Sequence, residues 1–421
     1  MPAETTPAGT GSSAGPSATV LRDPWYLLMC LATLAFWFSV FMHAPLIPLY
    51  LDEVGSPAAL IGFVYGIGAL GALCGRFVIG WAVDRYGERW FLLAGAGIWC
   101  ATAMWTPMTE SALWIAIGWI VKGVGLATFH TAAISWVSRY VPDDQRGRGM
   151  GWWATTNALA SIAAPLVAVL VMEAHGYSAA FALSMVASGI ACLGALAKST
   201  VQPGAIRKAT SRLGVFIERS ALEPGVIGFL IGMVSSAFVA FVPLLAADAG
   251  RINPGLFLAV YAGASIAARP VFGTLSDRWN RSAVIAPSLL IIAIGAAAMY
   301  SGGGSPLTLA GAALLGIGVG GSGPALLAWT GDRVPPERRG VASGTYYSLF
   351  ELGLFVGAGA MGPAIAWLDT RAFLLWGALV AVAAVVFWAR HWEGLGPPSP
   401  AVADTVPAAA PAATGGRTEK R

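Results

Sequence analysis

Long apolar blocks alternate with short polar gaps along the chain, and each block runs for about 20 residues, the length at which a helix crosses a bilayer. The spans fall near 25–50, 57–82, 89–108, 111–137, 149–173 and 177–197, and then near 224–247, 254–275, 283–301, 306–330, 341–367 and 371–390. A single soluble core does not need such regular blocks, whereas backbone in lipid must satisfy its polar groups within each helix. The pattern predicts an all-α integral membrane protein of twelve transmembrane helices in two pseudo-symmetric six-helix bundles, residues 23–197 and 224–391. Residues 1–22 and 392–421, dominated by Ala, Gly, Pro, Ser and Thr, read as disordered cytoplasmic tails. The first has neither the basic nor the apolar region of a cleaved signal peptide. Residues 198–223 carry Lys198, Arg207, Lys208, Arg212 and Arg219 and read as a cytoplasmic linker, with room for a short amphipathic helix on the membrane surface.

Composition agrees with lipid as the solvent: 57% of the residues are hydrophobic and 11% charged, against about 25% charged in a soluble domain. The net charge of +4 would suit an anionic partner such as nucleic acid, but the basic residues lie in alternate loops. Arg85 and Arg89, then Arg139, Arg146 and Arg148, the linker, Arg278 and Arg281, and Arg333, Arg338 and Arg339 share one side, and the other loops add little beyond Arg251 and Arg371. Charge therefore reports topology: a multi-pass protein of the cell's inner (plasma) membrane with both termini cytoplasmic. Its expected partners are the lipid bilayer and a small molecule, with no nucleic acid, and a monomer suffices. Cys30, Cys74, Cys100 and Cys192 lie in apolar blocks without metal or redox spacing and read as small packing residues.

An internal repeat is the most specific feature. Arg76, Gly80, Asp84 and Arg85 recur 193 positions later as Arg269, Gly273, Asp277 and Arg278. The same displacement carries Gly123 and Gly125 to Gly316 and Gly318, and Val141, Pro142, Arg146, Gly147 and Gly151 to Val334, Pro335, Arg339, Gly340 and Gly344. Because the repeat spans six helices, an even number, the halves share one orientation and are related by an axis along the membrane normal.

Gly80, Asp84, Arg85, Gly87 and Arg89, between helices 2 and 3, form a stretch that resembles the loop motif of the major facilitator superfamily, and Gly273, Asp277 and Arg278 resemble its partial second copy, with Asn280 in place of the later glycine. The resemblance covers nearly the whole chain and implies a transporter. It also implies that these residues latch the two halves on the cytoplasmic side in one access state; otherwise they are a helix-end charge cluster that fixes topology. Physically, a glycine lets helices approach closely and an Asp can accept from a helix N-terminus or pair with Arg. Two departures stand out. The family's helix 4 arginine is replaced by Trp119, and its antiporter-associated glycines on helix 5 are reduced to Ala164 and Pro165, while a closer version, from Gly357 to Pro363, sits on helix 11.

Ionisable groups within spans are costly and mark water, a partner or a substrate. Glu351 lies about ten residues into helix 11, so at 1.5 Å per residue it is about 15 Å deep. A carboxyl there can load and release a proton, which makes Glu351 the candidate proton-coupling residue; the alternative is a carboxylate permanently paired to a buried Arg. Lys122 on helix 4 suits a carboxylate or phosphate of the substrate, or else snorkels or pairs with Glu351. Arg76 and Arg269 are candidate cavity guanidiniums, or ties to the loop motif. His43, His130, Asn157, Tyr65, Tyr261, Tyr346 and Tyr347 are further polar candidates, the histidines equally readable as packing groups. No nucleotide loop, metal-ligand spacing or nucleophile motif is found, so neither a cofactor nor an enzyme is expected, and the coupling ion is the proton. The expected function is alternating-access transport, preferably proton-coupled export of a small anionic, zwitterionic or amphiphilic organic molecule. The alternatives are proton-symport uptake of a small anion and a non-transporting membrane sensor or receptor on the same fold.

Overall fold

The computed structural model describes residues 20–142, 145–197, 217–249, 252–278, 281–302, 306–335, 338–367 and 372–391. Val20–Arg22, expected within the first tail, form a 3-10 turn with Val20 buried and its N–H donating to the Gln145 side-chain oxygen at 2.9 Å. Residues 1–19 and 392–421 of the tails lie outside the described residues, as does most of the linker. Also outside are the side chains of Arg76, Asp84, Asp277 and Arg278, and Gly80. Twelve α-helices follow in order: α1 Pro24–Glu53, α2 Ala58–Tyr86, α3 Glu88–Ala103, α4 Ala112–Tyr140, α5 Arg146–His175 and α6 Tyr177–Ala191 in the first half. The second half contains α7 Leu222–Ala249, α8 Pro254–Arg278, α9 Ser282–Gly302, α10 Pro306–Asp332, α11 Arg339–Trp367 and α12 Ala372–His391. Eleven spans are long and apolar enough to cross a membrane, and the described apolar part of the twelfth is the shorter Leu374–Arg390.

Local chemistry sets the ends. Asp23 caps α1, its carboxylate accepting from the backbone N–H groups of Trp25 and Tyr26 at 2.9 and 3.1 Å, with Pro24 in the first turn, where its missing N–H costs nothing. The same Asp23 oxygen accepts from the Tyr140 hydroxyl at 2.8 Å, which ties the start of α1 to the end of α4. Gly87, between α2 and α3, and Gly176, between α5 and α6, have φ of 85° and 82°, a left-handed conformation that glycine alone adopts freely. The third span, expected to reach residue 108, stops as an α-helix at Ala103 and resumes as a 3-10 turn, Thr106–Met108, because Pro107 cannot continue the α ladder. The sixth likewise tightens into a 3-10 segment, Cys192–Leu196. Cys74 is exposed, against its reading as a packing residue.

The halves meet chiefly through α2 against α11, α5 against α8 and α1 against α7. These contacts are tightest at the end of the molecule where α2 and α8 begin and α5 and α11 finish. A Cβ on Gly62 would come within 2.2 Å of the Ala358 carbonyl oxygen, on Gly66 within 2.6 Å of the Phe355 oxygen, and on Gly362 within 2.4 Å of the Ala58 oxygen. Gly255 sits equally close to the Pro165 oxygen, at 2.4 Å. Small residues thus let α2 and α11 touch backbone to backbone. Nearby, the Asn253 amide donates across the halves to Glu173 at 3.5 Å.

At the opposite end, four ion pairs among the described residues each stay within one half. Arg139 pairs with the buried Glu88 at 2.7 Å, Arg281 with Asp332 at 3.1 Å, Arg338 with Glu218 at 3.1 Å, and Arg333 with Glu223. A Cβ on Gly151, Gly273 or Gly344 would meet nothing within 4 Å. The close helix approach expected at the second loop glycine, Gly273, is therefore not made here, because the neighbouring backbone is distant.

Candidate functional site

Between the halves lies a cavity of about 520 Å³, a volume that accommodates a small organic molecule. One wall comes from α1, α2, α4 and α5, through Trp37, Phe41, Tyr65, Trp119, Lys122 and Asn157; Ser161 and Pro165 continue it. The facing wall comes from α7, α8 and α11, through Ser235, Ser236, Tyr261, Ser265 and Arg269, then Tyr347, Phe350 and Glu351. Among the described residues, three that line the cavity are cations or acids: Lys122 on the first wall, Arg269 and Glu351 on the second.

Lys122 is 1% exposed. Its ammonium lies 5.5 Å from the ring centroid of Trp119 and 5.9 Å from those of Trp99 and Phe181, within the range at which ring faces attract a cation. Among the described residues no hydrogen-bond acceptor reaches its Nζ and no ion pair includes it, so the alternative in which it pairs with Glu351 is not realised. Trp119 is fixed by two features: its indole N–H donates to the Tyr65 backbone oxygen at 2.9 Å, and Gly68 leaves room for the ring. A Cβ at Gly68 would lie 2.4 Å from the indole nitrogen. The residue that replaces the expected helix 4 arginine is thus one wall of an aromatic box around the lysine.

His43 is fully buried and stands behind this box, not in the cavity. Its Nδ1 lies 2.9 Å from the Ser39 carbonyl oxygen, which can only accept, so Nδ1 carries the hydrogen. Its ring packs against Trp99, Trp119 and Phe181, the same three rings that surround Lys122. His43 therefore belongs to the packing of the N-terminal half. His130 also stays out of the lining and packs between Trp37 and Trp153 at 5.5 and 6.2 Å.

Glu351 is the thirteenth residue of α11, 5% exposed, and lines the cavity. Of the adjacent tyrosines only Tyr347, 41% exposed, reaches the cavity. Tyr346, expected there too, is buried against α7, in space that Gly228 leaves open: a Cβ at Gly228 would lie 2.8 Å from its ring. Tyr261 lines the cavity with its hydroxyl 3.5 Å from the Ser235 hydroxyl. Tyr65, Asn157 and the exposed Arg269 are brought together as expected, whereas the Arg76 side chain lies outside the described residues. Around the loop motif, Arg85 and Arg89 are exposed, and the Arg85 guanidinium lies 5.6 Å from the Tyr86 ring centroid.

Sequence reasoning missed Trp37 and Trp99 and the serines of the second wall, Ser235, Ser236 and Ser265. A tryptophan in an apolar span carries no local sign of whether it faces lipid, a neighbour or a cavity. Serines in small-residue stretches equally serve helix packing.

A family model described as Major Facilitator Superfamily matches residues 29–250 and 224–415. An MFS-type transporter of Salmonella typhimurium is 27% identical over 358 residues, covering 81% of this chain and 90% of that protein. The staphylopine export protein of Staphylococcus aureus is 24% identical over 359 residues, covering 80% and 88%. Among solved structures, the nucleoside transporter NupG matches with a TM-score of 0.75 at 12% identity, over 87% of this chain and all of that one. A bacterial homologue of the lysosomal transporter Spinster matches with a TM-score of 0.73 at 13% identity, over 90% and 100%. Two matched halves, twelve helices and a central cavity in one membrane-spanning chain agree with that assignment: the protein belongs to the major facilitator superfamily of membrane transporters.

Proposed function

We propose that this protein is a proton-coupled exporter of a small organic molecule, working by alternating access about the central cavity. The observation that carries the reading is the cavity itself: it lies between two bundles that touch tightly at one end, and it holds the buried Glu351 on one wall and the buried Lys122 on the other. With both termini in the cytoplasm, as the basic loops favour, the packed end made by Gly62, Gly66 and Gly362 faces outward and the cavity is offered to the cytoplasm. The loop residues Gly80, Asp84, Arg85, Gly87 and Arg89, with Gly273, Asp277 and Arg278, then act as a latch when the halves rock to the other state. Glu351 loads a proton when the site faces outward and releases it inward. Export is favoured over uptake by the likeness to an export protein over four-fifths of the chain.

The test is a flux screen of organic acids and zwitterions in everted and right-side-out vesicles under an imposed pH gradient. The reading expects gradient-driven uptake into everted vesicles that Glu351→Gln abolishes in a correctly folded protein. Proton-driven flux unchanged by that substitution would remove Glu351 from the coupling, and accumulation confined to right-side-out vesicles would reverse the direction.

A further inference from the structure

We infer that Lys122 and its aromatic box form the recognition point for a single carboxylate on a flat aromatic acid, and that such acids are the substrate class of this cavity. The inference rests on the transporter reading and adds what that reading leaves open, the chemistry of the cargo.

An ammonium taken out of water needs replacement interactions. The rings of Trp99, Trp119 and Phe181 supply part of them through their negative faces, but ring faces do not satisfy an ammonium's three N–H donors. Lys122 therefore stands in a cavity wall with the hydrogen-bonding capacity of its Nζ unspent among the described residues. For a permanent structural role this is a poor arrangement, because an apolar side chain of similar length would fill the box without the desolvation cost. For a transient anion it is a good one. An oxygen anion that reaches Nζ does so at a site 1% exposed to solvent, where unscreened attraction is strongest.

The surroundings select among anions. A phosphate dianion calls for several donors or a guanidinium fork, and among the described residues this wall offers one ammonium beside indole and phenyl rings. A monoanionic carboxylate matches one ammonium. The body attached to it must lie along Trp37, Phe41, Tyr65 and Trp119 on the first wall and Tyr347 and Phe350 on the second, surfaces that favour a planar π-system. Polar substituents would meet the hydroxyls of Ser235, Ser236 and Ser265. Arg269 is the other cavity cation among the described residues, but it is exposed to solvent, so its charge is screened and discriminates less.

The experiment measures equilibrium binding to the full chain in nanodiscs, without any gradient, by calorimetry and by quenching of tryptophan emission. The probes are benzoate and 2-naphthoate, their neutral isosteres benzamide and 2-naphthamide, and the cation 2-naphthylmethylamine. The expected result is 2-naphthoate binding about tenfold or more tighter than 2-naphthamide, with benzoate weaker and the amine weakest. Lys122→Met should erase the acid-over-amide preference while leaving 2-naphthamide within about twofold. Trp119→Phe, which keeps the cation and trims the box, should give an intermediate loss and serves if Lys122→Met does not fold. Any of three results overturns the inference: no binding of either acid at millimolar concentration, acid and amide binding alike to the unsubstituted protein, or an acid preference that survives in Lys122→Met. Because no proton gradient is involved, a failure of coupling at Glu351 leaves these affinities unmoved, so the two readings fail separately.

Discussion

Displacing the buried cation site of the N-terminal half by the 193 residues that relate the two halves leads from Trp99, Trp119 and Lys122 to Ile292, Ala312 and Leu315. All three are 1% exposed or less and belong to the apolar core of the C-terminal half. The same displacement run backwards takes Glu351 to Ala158. The repeat preserves the residues that shape the backbone, such as Gly123 and Gly316, each of which packs against α2 or α8 with almost no clearance. It keeps an arginine at positions 76 and 269 but does not preserve the two buried charged residues of the cavity walls, Lys122 and Glu351. Among the described residues of the cavity walls, each half thus contributes one buried charged group that its partner lacks: a boxed lysine on one side, a carboxyl on the other. A duplicated scaffold sets where the cavity lies, and unpaired substitutions on its two walls set what the cavity can do.

That asymmetry can be broken in order of expected effect. Glu351→Gln should reduce pH-gradient-driven flux to the background of empty vesicles, whereas Ala158→Ser at its mirror position should leave flux within about twofold, read by the same assay. Leu315→Lys places an ammonium in the C-terminal core without an aromatic box and should lower the thermal midpoint by about 4 °C or more, or prevent accumulation altogether. Lys122→Leu, the reverse change, should hold or raise the midpoint, since an apolar side chain there relieves a desolvated charge. Equal destabilisation by both would show that the box is structural support and not a binding feature.

The contrast between the two ends of the molecule gives the next effects. Gly62→Val should weaken closure of the packed end and cut flux about tenfold, because even a Cβ there collides with the Ala358 backbone. Gly68→Ala should act more gently, displacing the Trp119 indole and weakening binding of aromatic acids by a few fold, seen as a shift in tryptophan emission.

Much of this was legible before any coordinates. Spans of bilayer length and the 193-residue register were enough to predict paired six-helix bundles, since lipid leaves the backbone few alternatives. Depth arithmetic placed Glu351 and Lys122 correctly inside the spans. What the linear pattern does not encode is azimuth. In a helix apolar on every face, nothing local separates the side that meets lipid from the side that lines a cavity. That is why Tyr346 and Tyr347 read alike although one packs on Gly228 and the other reaches the cavity, and why His43, two residues from the cavity-facing Phe41 and next to Ala44, lies behind the lysine box. Trp119 registered only as a departure from a familiar pattern, and its role emerged once Gly68, Tyr65 and Lys122 were seen around it.

Alternating access about the cavity is most directly tested by paired distance measurements between spin labels, with Cys30, Cys74, Cys100 and Cys192 replaced. One pair, Glu53→Cys with Trp367→Cys, reports the packed end; the other, Arg89→Cys with Arg339→Cys, reports the opposite end, and all four positions are exposed. On changing pH across a reconstituted membrane with a transported acid present, the account predicts that the first distance lengthens in the molecules in which the second shortens. Two distances that stay fixed, or that change in the same sense, would contradict it.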